Sequence, residues 1–486
     1  MEYTHPHPIN IVENTFKYCF LLLLPFFRVL FFYTQGFYQW VRGAWFDLLI
    51  VLLIILFGYI RWVFNTFKVA NRGIYVSKGI FIWQKRFIPY TNVATVIVES
   101  PFYWMPIRAV RVTLDTNAGG KHRYDVSLTM RREDALNLMM KSQLPLRGNE
   151  GIRKTYRPKN FYIGVLSLLT SNSLSGVLFA SALISQTGDI LGREFENQLV
   201  SQLTQIVHTL AFGLPPAAAI VGYTLLGGWL VGFLLGLIHH KNFTASRQGN
   251  SLYISEGSLI RRYYSLDVKK IHFVQLRQSL TTKFLGLFMV FVHVSGYGKQ
   301  KNSLAVLMPA ATRREAERNL QLLLPEMPFD RTEVHPHKDG IWGFLFKPLV
   351  LIFVFLAAAI FLYWFLPSFR GTVVFMAIMA EIPCIWFLIL KITAFSHTGI
   401  GYTDAVYTLR YSYAYRLYTV SVPANRVVKV QFKQNPWQHF SSSNHRCTVV
   451  VYTYAEGRQR HVLPNMDRAE VEAFFSMHGL GIQPAE

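Results

Sequence analysis

Cysteine is almost absent: Cys19, Cys384 and Cys447 are the three in 486 residues, and they are isolated. No CxxC pair exists, which excludes a disulfide framework and a cysteine-rich metal site. Charge is scarce too. Charged residues make up 16% of the chain, against about 25% in ordinary soluble domains. Acids are the scarcer sign, with 27 Asp and Glu against 49 Lys and Arg and a formal net charge of +22. The basic residues form neither a continuous basic helix nor zinc-finger spacing, so nucleic acid is not the expected partner. Catalytic signatures are missing as well. There is no nucleophile elbow, P-loop or dinucleotide fingerprint, and Gly296-Tyr297-Gly298 is an isolated turn. His5, His7, His239, His240, His335 and His337 lack the convergent acids of a metal site; His5-Pro6-His7 and His335-Pro336-His337 read as flexible linker residues. The expectation is a non-enzyme with no catalytic residue, cofactor or metal. The polar start MEYTHPHPIN is followed by no small-residue cleavage site, so the first apolar run reads as retained.

What is abundant is apolar sequence, 51% of residues, and it is clumped. A bilayer core of about 30 Å takes about 20 apolar residues as a helix, with every backbone group bonded internally. Six spans are expected in three pairs: Phe16–Thr34 with Ala44–Phe64, Phe161–Ile184 with Leu210–Ile238, and Ile341–Leu366 with Thr372–Phe395. Trp45, Trp62, Trp342 and Trp364 sit near span ends, as interfacial anchors do. The turns within pairs hold few positive charges. The stretches after them are rich in Lys and Arg, for example Lys68, Arg72, Lys78, Lys85 and Arg86. The positive-inside rule then puts both termini and all large soluble segments in the cytoplasm of a multi-pass inner-membrane protein; if the segment holding Arg28 only lies in the interface, the N-terminus is outside and the soluble segments stay cytoplasmic.

Each pair is followed by a similar segment of about 80–100 residues, and this order is an internal repeat. The first copy opens with Ile74-Tyr75-Val76-Ser77-Lys78-Gly79-Ile80-Phe81-Ile82-Trp83, and the second with Leu252-Tyr253-Ile254-Ser255-Glu256-Gly257-Ser258-Leu259-Ile260. Both read as strand–turn–strand with glycine at the turn position that needs positive φ. The third, Val406 to Tyr413, has Tyr411 or Ser412 where glycine is expected. Next, Ile88-Pro89-Tyr90-Thr91-Asn92-Val93 matches Val422-Pro423-Ala424-Asn425-Arg426-Val427. Leu266, Ile271 and Val274 keep the same frame in the second copy, with Asp267 replacing proline. Further strands are expected at Val110–Leu114, Met289–Val294 and Thr448–Tyr454 from their alternation. Each copy closes with an amphipathic helix, with Thr129, Thr312 and Asn465 as expected N-caps.

At these residues the chain resembles the bacterial pleckstrin-homology (PH) membrane proteins of the YdbT type, which carry domain-of-unknown-function 304 repeats behind helix pairs. The resemblance covers nearly the whole chain in architecture. It implies a strongly bent antiparallel sheet of about seven strands, plugged by a C-terminal helix, and no catalytic residues. Its implied roles are membrane scaffolding, protein interaction or cell-envelope stress functions. The fold expected is therefore a multi-pass α-helical membrane protein of about six helices with three cytoplasmic α+β PH-like domains. The divisions are helix pairs at 1–66, 161–240 and 341–395, domains at 67–146, 241–326 and 396–480, and linkers at 147–160 and 327–340.

Four features stand out as candidate sites. Lys85, Arg86, Arg261, Arg262, Lys269, Lys270, Arg416, Arg426 and Lys429 follow the strand turns, where PH-like folds often hold acidic headgroups; the plainer reading is juxtamembrane charge. Glu381 lies mid-span, and an intramembrane acid faces a partner or a wet cavity, with Arg28 available across the bundle; the plainer reading is a structural hydrogen bond or a neutral protonated acid. Arg28 has its own alternative of snorkelling to the headgroups. Gly228, Gly232 and Gly236 recur at GxxxG spacing on one helix face, which lets another helix approach closely. The function expected is a scaffold binding membrane lipids and a membrane or cytoplasmic protein. A transporter or channel component using Arg28 and Glu381 is the alternative.

Overall fold

The computed structural model describes residues 3–18, 45–80, 82–117, 124–141, 154–170, 216–297, 306–434, 446–455 and 457–478, with a few positions between 197 and 205. Helices α1 (Ile9–Tyr18) and α2 (Trp45–Val63) come first. Three β units follow in the order the repeat dictates. Unit 1 has β1 (Thr66–Val69), β2 (Gly73–Lys78) and β3 (Gln84–Pro89), then β4 (Val93–Pro101), β5 (Ala109–Thr116) and β6 (Val126–Arg131), and closes with α3 (Arg132–Lys141). After β7 (Lys154–Tyr156), α4 (Asn160–Thr170) and α5 (Pro216–His240), unit 2 repeats the plan. It runs β8 (Thr244–Gln248), β9 (Ser251–Glu256), β10 (Ile260–Asp267), β11 (Phe273–Ser279), α6 (Leu280–Phe284), β12 (Leu287–His293), β13 (Val306–Thr312) and α7 (Arg313–Leu323). The helical hairpin α8 (Ile341–Phe365) and α9 (Arg370–His397) leads to unit 3. That unit holds β14 (Gly399–Thr403), β15 (Val406–Tyr413), β16 (Arg416–Pro423), β17 (Val427–Lys433), β18 (Arg446–Tyr454), β19 (Arg458–Asp467) and α10 (Arg468–Met477).

Alternating apolar residues build each core, because side chains on a strand point to opposite faces in turn. In unit 1, Val96, Val98, Val110, Val112, Leu128 and Met130 meet Ala135 and Leu138 of α3. In unit 3, Val449, Val451 and Leu463 meet Val471, Phe474 and Phe475 of α10. Gly79 and Gly257 take φ of +131° and +97°, as the turns require. In the third copy the strands run longer, and Ala414 at φ 50° carries the turn that lacks glycine.

A unit supplies two triplets of strands, not one seven-stranded sheet, and the triplets of neighbouring units share sheets. β4 of unit 1 pairs with β10 of unit 2 inside the order β6-β5-β4-β10-β9-β8-β7. β11 of unit 2 pairs with β16 of unit 3 inside β13-β12-β11-β16-β15-β14. The 3-10 turns Tyr90–Asn92, Val268–Lys270 and Ala424–Arg426 occupy the same place in each copy and align the repeats. On that alignment the two junctions have one register: Ser265 faces Val96 in the first, and Ser421 faces Val274 in the second. A turn-to-turn contact also recurs. Lys270 Nζ donates to the Thr91 carbonyl at 2.5 Å, and Arg426 Nη2 donates to the Lys269 carbonyl at 2.8 Å.

The junctions differ in chemistry. The first places Ala94 and Ile97 of β4 in the core of unit 2, and it is clamped by Arg262 Nε to Glu99 Oε1 at 2.9 Å with both side chains nearly enclosed. The second puts His272 and Gln275 at the equivalent positions. Phe273 stacks on His293 at 4.2 Å and meets His461 edge-on at 5.3 Å. His461 bonds the Tyr411 hydroxyl at 3.0 Å and Thr453 Oγ1 at 2.9 Å. Burial lowers His272 to about 4, His293 to about 3 and His461 to about 4.

Several expectations are corrected. The six-helix count is overturned: among the described residues two helical stretches, Lys338–Phe365 and Val373–His397, are long and apolar enough to cross a bilayer. They correspond to the third pair. A span takes about 20 apolar residues in one helix, and for the first two pairs the described residues supply less than that. The first two pairs supply the shorter apolar stretches Leu52–Val63 and Gly222–Ile238, with α4 described over Asn160–Thr170. Most of Phe16–Thr34 and the rest of Phe161–Ile184 lie outside the described residues. The sheet-bearing units are upheld. Thr312 caps α7 through a capping box with Glu315, as its spacing predicts. Thr129 does not cap α3; it is a buried residue of β6 paired with Arg111. The cap of α10 is Asp467, accepting from Ala469 N and Glu470 N. Asn465 is buried at φ 57° and donates to the Gly340 carbonyl. The two His-Pro-His segments are bonded rather than free. The Pro6 carbonyl accepts from Trp62 Nε1 at 2.8 Å, and His335 contacts the Thr398 carbonyl at 3.1 Å.

Two outcomes follow. Glu99→Ala leaves the guanidinium of Arg262 enclosed without its carboxylate and destabilises the first junction by about 3 kcal/mol, read as a lower thermal midpoint of the purified full chain. For the three histidines the unfolded state binds more protons between about pH 6.5 and their lowered values. Stability therefore falls as pH drops from about 6.5 toward 4, and His461→Gln flattens that part of the melting-temperature profile.

Candidate functional site

The second hairpin of every unit ends beside an apolar helix. At the tip of β2–β3, Trp83 lies 6.1 Å from Phe64, just past α2. At the tip of β9–β10, Gly257 N donates to the Lys241 carbonyl at 2.9 Å, and Glu256 Oε2 lies 3.3 Å from His240 Nδ1 at the end of α5. At the tip of β15–β16, Tyr415 packs on Phe387 at 5.3 Å, and Lys391 Nζ reaches Ser412 Oγ at 3.3 Å. Both Phe387 and Lys391 belong to α9. The loops after β4 and β11 join the same end, since Phe102 N donates to the Leu259 carbonyl at 2.9 Å and Phe284 lies 6.5 Å from Trp386 of α9.

These tips are apolar where water-facing loops are ordinarily polar. Ile82 is 77% exposed, Trp83 66% and Phe284 74%, with Phe102, Tyr103, Leu259, Leu285, Tyr413 and Tyr415 exposed beside them. Aromatic rings of this kind belong at the headgroup level of a bilayer. A strand of eight residues such as β10 spans about 26 Å, so the opposite strand ends, with their 3-10 turns, stand well away from that level.

That axis divides the expected basic set. Lys85, Arg86, Arg261, Arg262 and Arg416 lie at or near the tip end. Lys269, Lys270, Arg426 and Lys429 lie at the far end, where Lys270 and Arg426 donate to carbonyls of the preceding unit. Arg262 is engaged by Glu99, whereas Lys85, Arg86, Lys269, Arg416 and Lys429 are exposed.

Beside the tips, a groove of about 520 Å³ lies where α3 overhangs the first junction. One face of the shared sheet belongs to the unit 1 core at Val98 and Val110, and its continuation onto unit 2 presents Ser246, Ser255, Tyr263 and Ser265. Arg108, Arg132 and Arg261 join the lining, and no acid does among the described residues. Arg108 is held at φ 53° in the loop that carries Phe102 and Tyr103. The hydroxyl of Ser265 is buried and has no hydrogen-bond partner among the described residues. The equivalent groove at the second junction, about 320 Å³, is crossed by the segment from Leu324 to Asp330. There Ser421, the counterpart of Ser265, donates to the Pro328 carbonyl at 2.9 Å, and Arg410 donates to the Asp330 carbonyl at 3.0 Å. Sequence reasoning missed Arg108, Arg132 and Ser265. The signal available was arginine next to the aromatic run Phe102-Tyr103-Trp104, but the face shared between units is not written in any local pattern.

The other candidates separate. Both carboxyl oxygens of Glu381 are buried on α9 without a hydrogen-bond partner among the described residues; Arg28 lies outside them. Gly236 faces Ser167 of α4, and a Cβ there would sit 3.2 Å from the serine Cβ. Gly228 is buried and Gly232 half-buried on the same helix. No group of three or more metal-ligating side chains occurs among the described residues.

The chain's resemblances agree with this architecture. Residues 20–141 match the sequence profile of the bacterial PH domain. The UPF0699 transmembrane protein YdbT of Bacillus subtilis (strain 168) is 21% identical over 385 residues, covering 73% of this chain and 76% of that protein. The resemblance to YdbT-type bacterial PH proteins, carried by the repeat motifs, is thereby borne out. No solved structure matches significantly.

The paired serines give a direct test of the groove. Ser265→Ala removes a hydroxyl without a described partner and leaves the thermal midpoint unchanged or slightly raised. Ser421→Ala leaves the Pro328 carbonyl short of a donor and costs about 1 kcal/mol, a difference readable by side-by-side thermal melts.

Proposed function

We propose that this protein is a non-catalytic membrane scaffold. In this reading the apolar helices anchor it, its three β units rest on the cytoplasmic face of the bilayer, and the groove at the first junction takes the anionic headgroup of a membrane lipid. The observation that carries it is the coincidence of two features at one end of the molecule: exposed aromatic hairpin tips beside the apolar helices, and a groove lined by three arginines and a buried hydroxyl with no acid among its described lining residues. A phosphodiester is a good fit to such donors, because guanidinium groups bind phosphoryl oxygens in charge-assisted pairs. Each basic residue near an anionic leaflet adds about 1 kcal/mol. The distribution of Lys and Arg along the sequence supports the cytoplasmic side.

The division of the basic residues refines this reading. Arg261 works with Arg108 and Arg132 in the groove, while Lys85, Arg86 and Arg416 meet the leaflet from the other tips. The far-end cations Lys269, Lys270, Arg426 and Lys429 serve contacts between units or with a protein partner.

The test uses dihexanoyl phosphatidylglycerol, a short-chain anionic lipid, on the purified full chain. A ligand at ten times its dissociation constant adds about 1.4 kcal/mol of stability, so the thermal midpoint rises with this lipid. The Arg132→Glu and Arg261→Glu double variant loses the rise. An equal rise with dihexanoyl phosphatidylcholine, or a rise that the double variant keeps, removes the headgroup site.

A further inference from the structure

Among the described residues, two strand edges of the kind used at the junctions are left over. Each internal junction joins the fourth strand of one unit to the third strand of the next: β4 to β10, and β11 to β16. The series leaves β17, the fourth strand of unit 3, at the edge of the sheet β17-β18-β19, and β3, the third strand of unit 1, at the edge of β1-β2-β3. These are the two halves of one more junction, at opposite ends of the chain. We propose that β17 of one copy pairs with β3 of a second copy, so that the protein assembles head to tail through the ladder it uses internally.

The register follows from the repeat. Val430 occupies the position of Val96 and Val274, and Phe87 that of Ser265 and Ser421, so Phe87 faces Val430. Arg86 then faces Gln431, Lys85 faces Phe432 and Gln84 faces Lys433. No pair sets like charges directly opposite, which is the arrangement that penalises cross-strand pairing. Phe87 is 47% exposed, and Gln84, Lys85 and Arg86 are exposed with it, as fits an edge built to be covered. The pair Gln84–Lys433 stands where Arg262–Glu99 clamps the first junction and where Tyr418 lies 5.5 Å from Arg277 in the second. The turn contact has its counterpart too, since the Asn425 carbonyl matches those of Thr91 and Lys269, with Asn92 in the donor's place.

Head-to-tail pairing is heterologous, and such contacts generate rings or open filaments. Membrane anchoring restricts the choice. Every copy keeps its helices in one bilayer, so the rotation relating copies runs about the membrane normal and the product is a ring or a planar arc. The flanking cations Lys85, Arg86, Lys429 and Lys433 repel at long range, so association strengthens as salt screens them.

The experiment co-expresses two differently tagged full-length chains, one carrying Phe87→Cys and the other Val430→Cys, and oxidises the isolated membranes. A disulfide-linked species of twice the chain mass containing both tags is expected. It should be stronger than that from Lys85→Cys with Val430→Cys, a pair two residues out of register. Homotypic products (Phe87→Cys with itself, or Val430→Cys with itself) dominating over the mixed one overturn the head-to-tail arrangement. Absence of any mixed product from chains that reach the membrane at normal levels also overturns it. So does capture of the Val430→Cys edge by a different protein in preference to Phe87→Cys.

Discussion

A β-strand's outward N–H and C=O groups must be bonded, and this requirement organises the whole molecule. Each repeat supplies two three-stranded sheets, and neither closes on itself. The exposed edge of one unit is satisfied by the exposed edge of the next, so the units fuse through continuous sheets and do not hang as beads on linkers. Backbone ladders are directional and register-specific. The same pairing, Ser265 with Val96 and Ser421 with Val274, therefore holds the units in one repeated relation. The placement of hairpin tips beside the apolar helices and the two grooves under the closing helices follow from that relation.

Because the backbone sets the junction, the side chains there are free to differ. The first is apolar, with an enclosed ion pair at one end; the second is a polar network of imidazoles, a glutamine and the Tyr411 hydroxyl. A neutral imidazole tolerates such enclosure, and charging one there means desolvating a cation. Identical topology thus supports one junction governed by packing and ion pairing and another governed by protonation.

Much of this was legible in the sequence because it depends on local chemistry. Gly79 and Gly257 marked their turns, Thr312 with Glu315 marked a helix start, and alternation marked β5, β12 and β18. What was not legible depends on distant partners. Thr129 and Asn465 have the composition of caps, but the ladder of β6 and the contact with Gly340 claim them first. Of the six expected spans, two stand among the described residues, and much of the other four lies outside them. The basic candidates were chosen by nearness to turns in sequence. A strand has two ends about 26 Å apart, and the set falls into two groups on that account. Arg108, Arg132 and Ser265 come together only because a sheet crosses from one unit to the next.

The matched turns Tyr90–Asn92, Val268–Lys270 and Ala424–Arg426 carry a genetic consequence. They are equivalent cut points: excising the sequence between any two of them joins a third strand to a fourth strand in the frame already in use. Repeat number can therefore change by recombination at these turns without inventing a new interface, and the terminal edges β3 and β17 survive every such change.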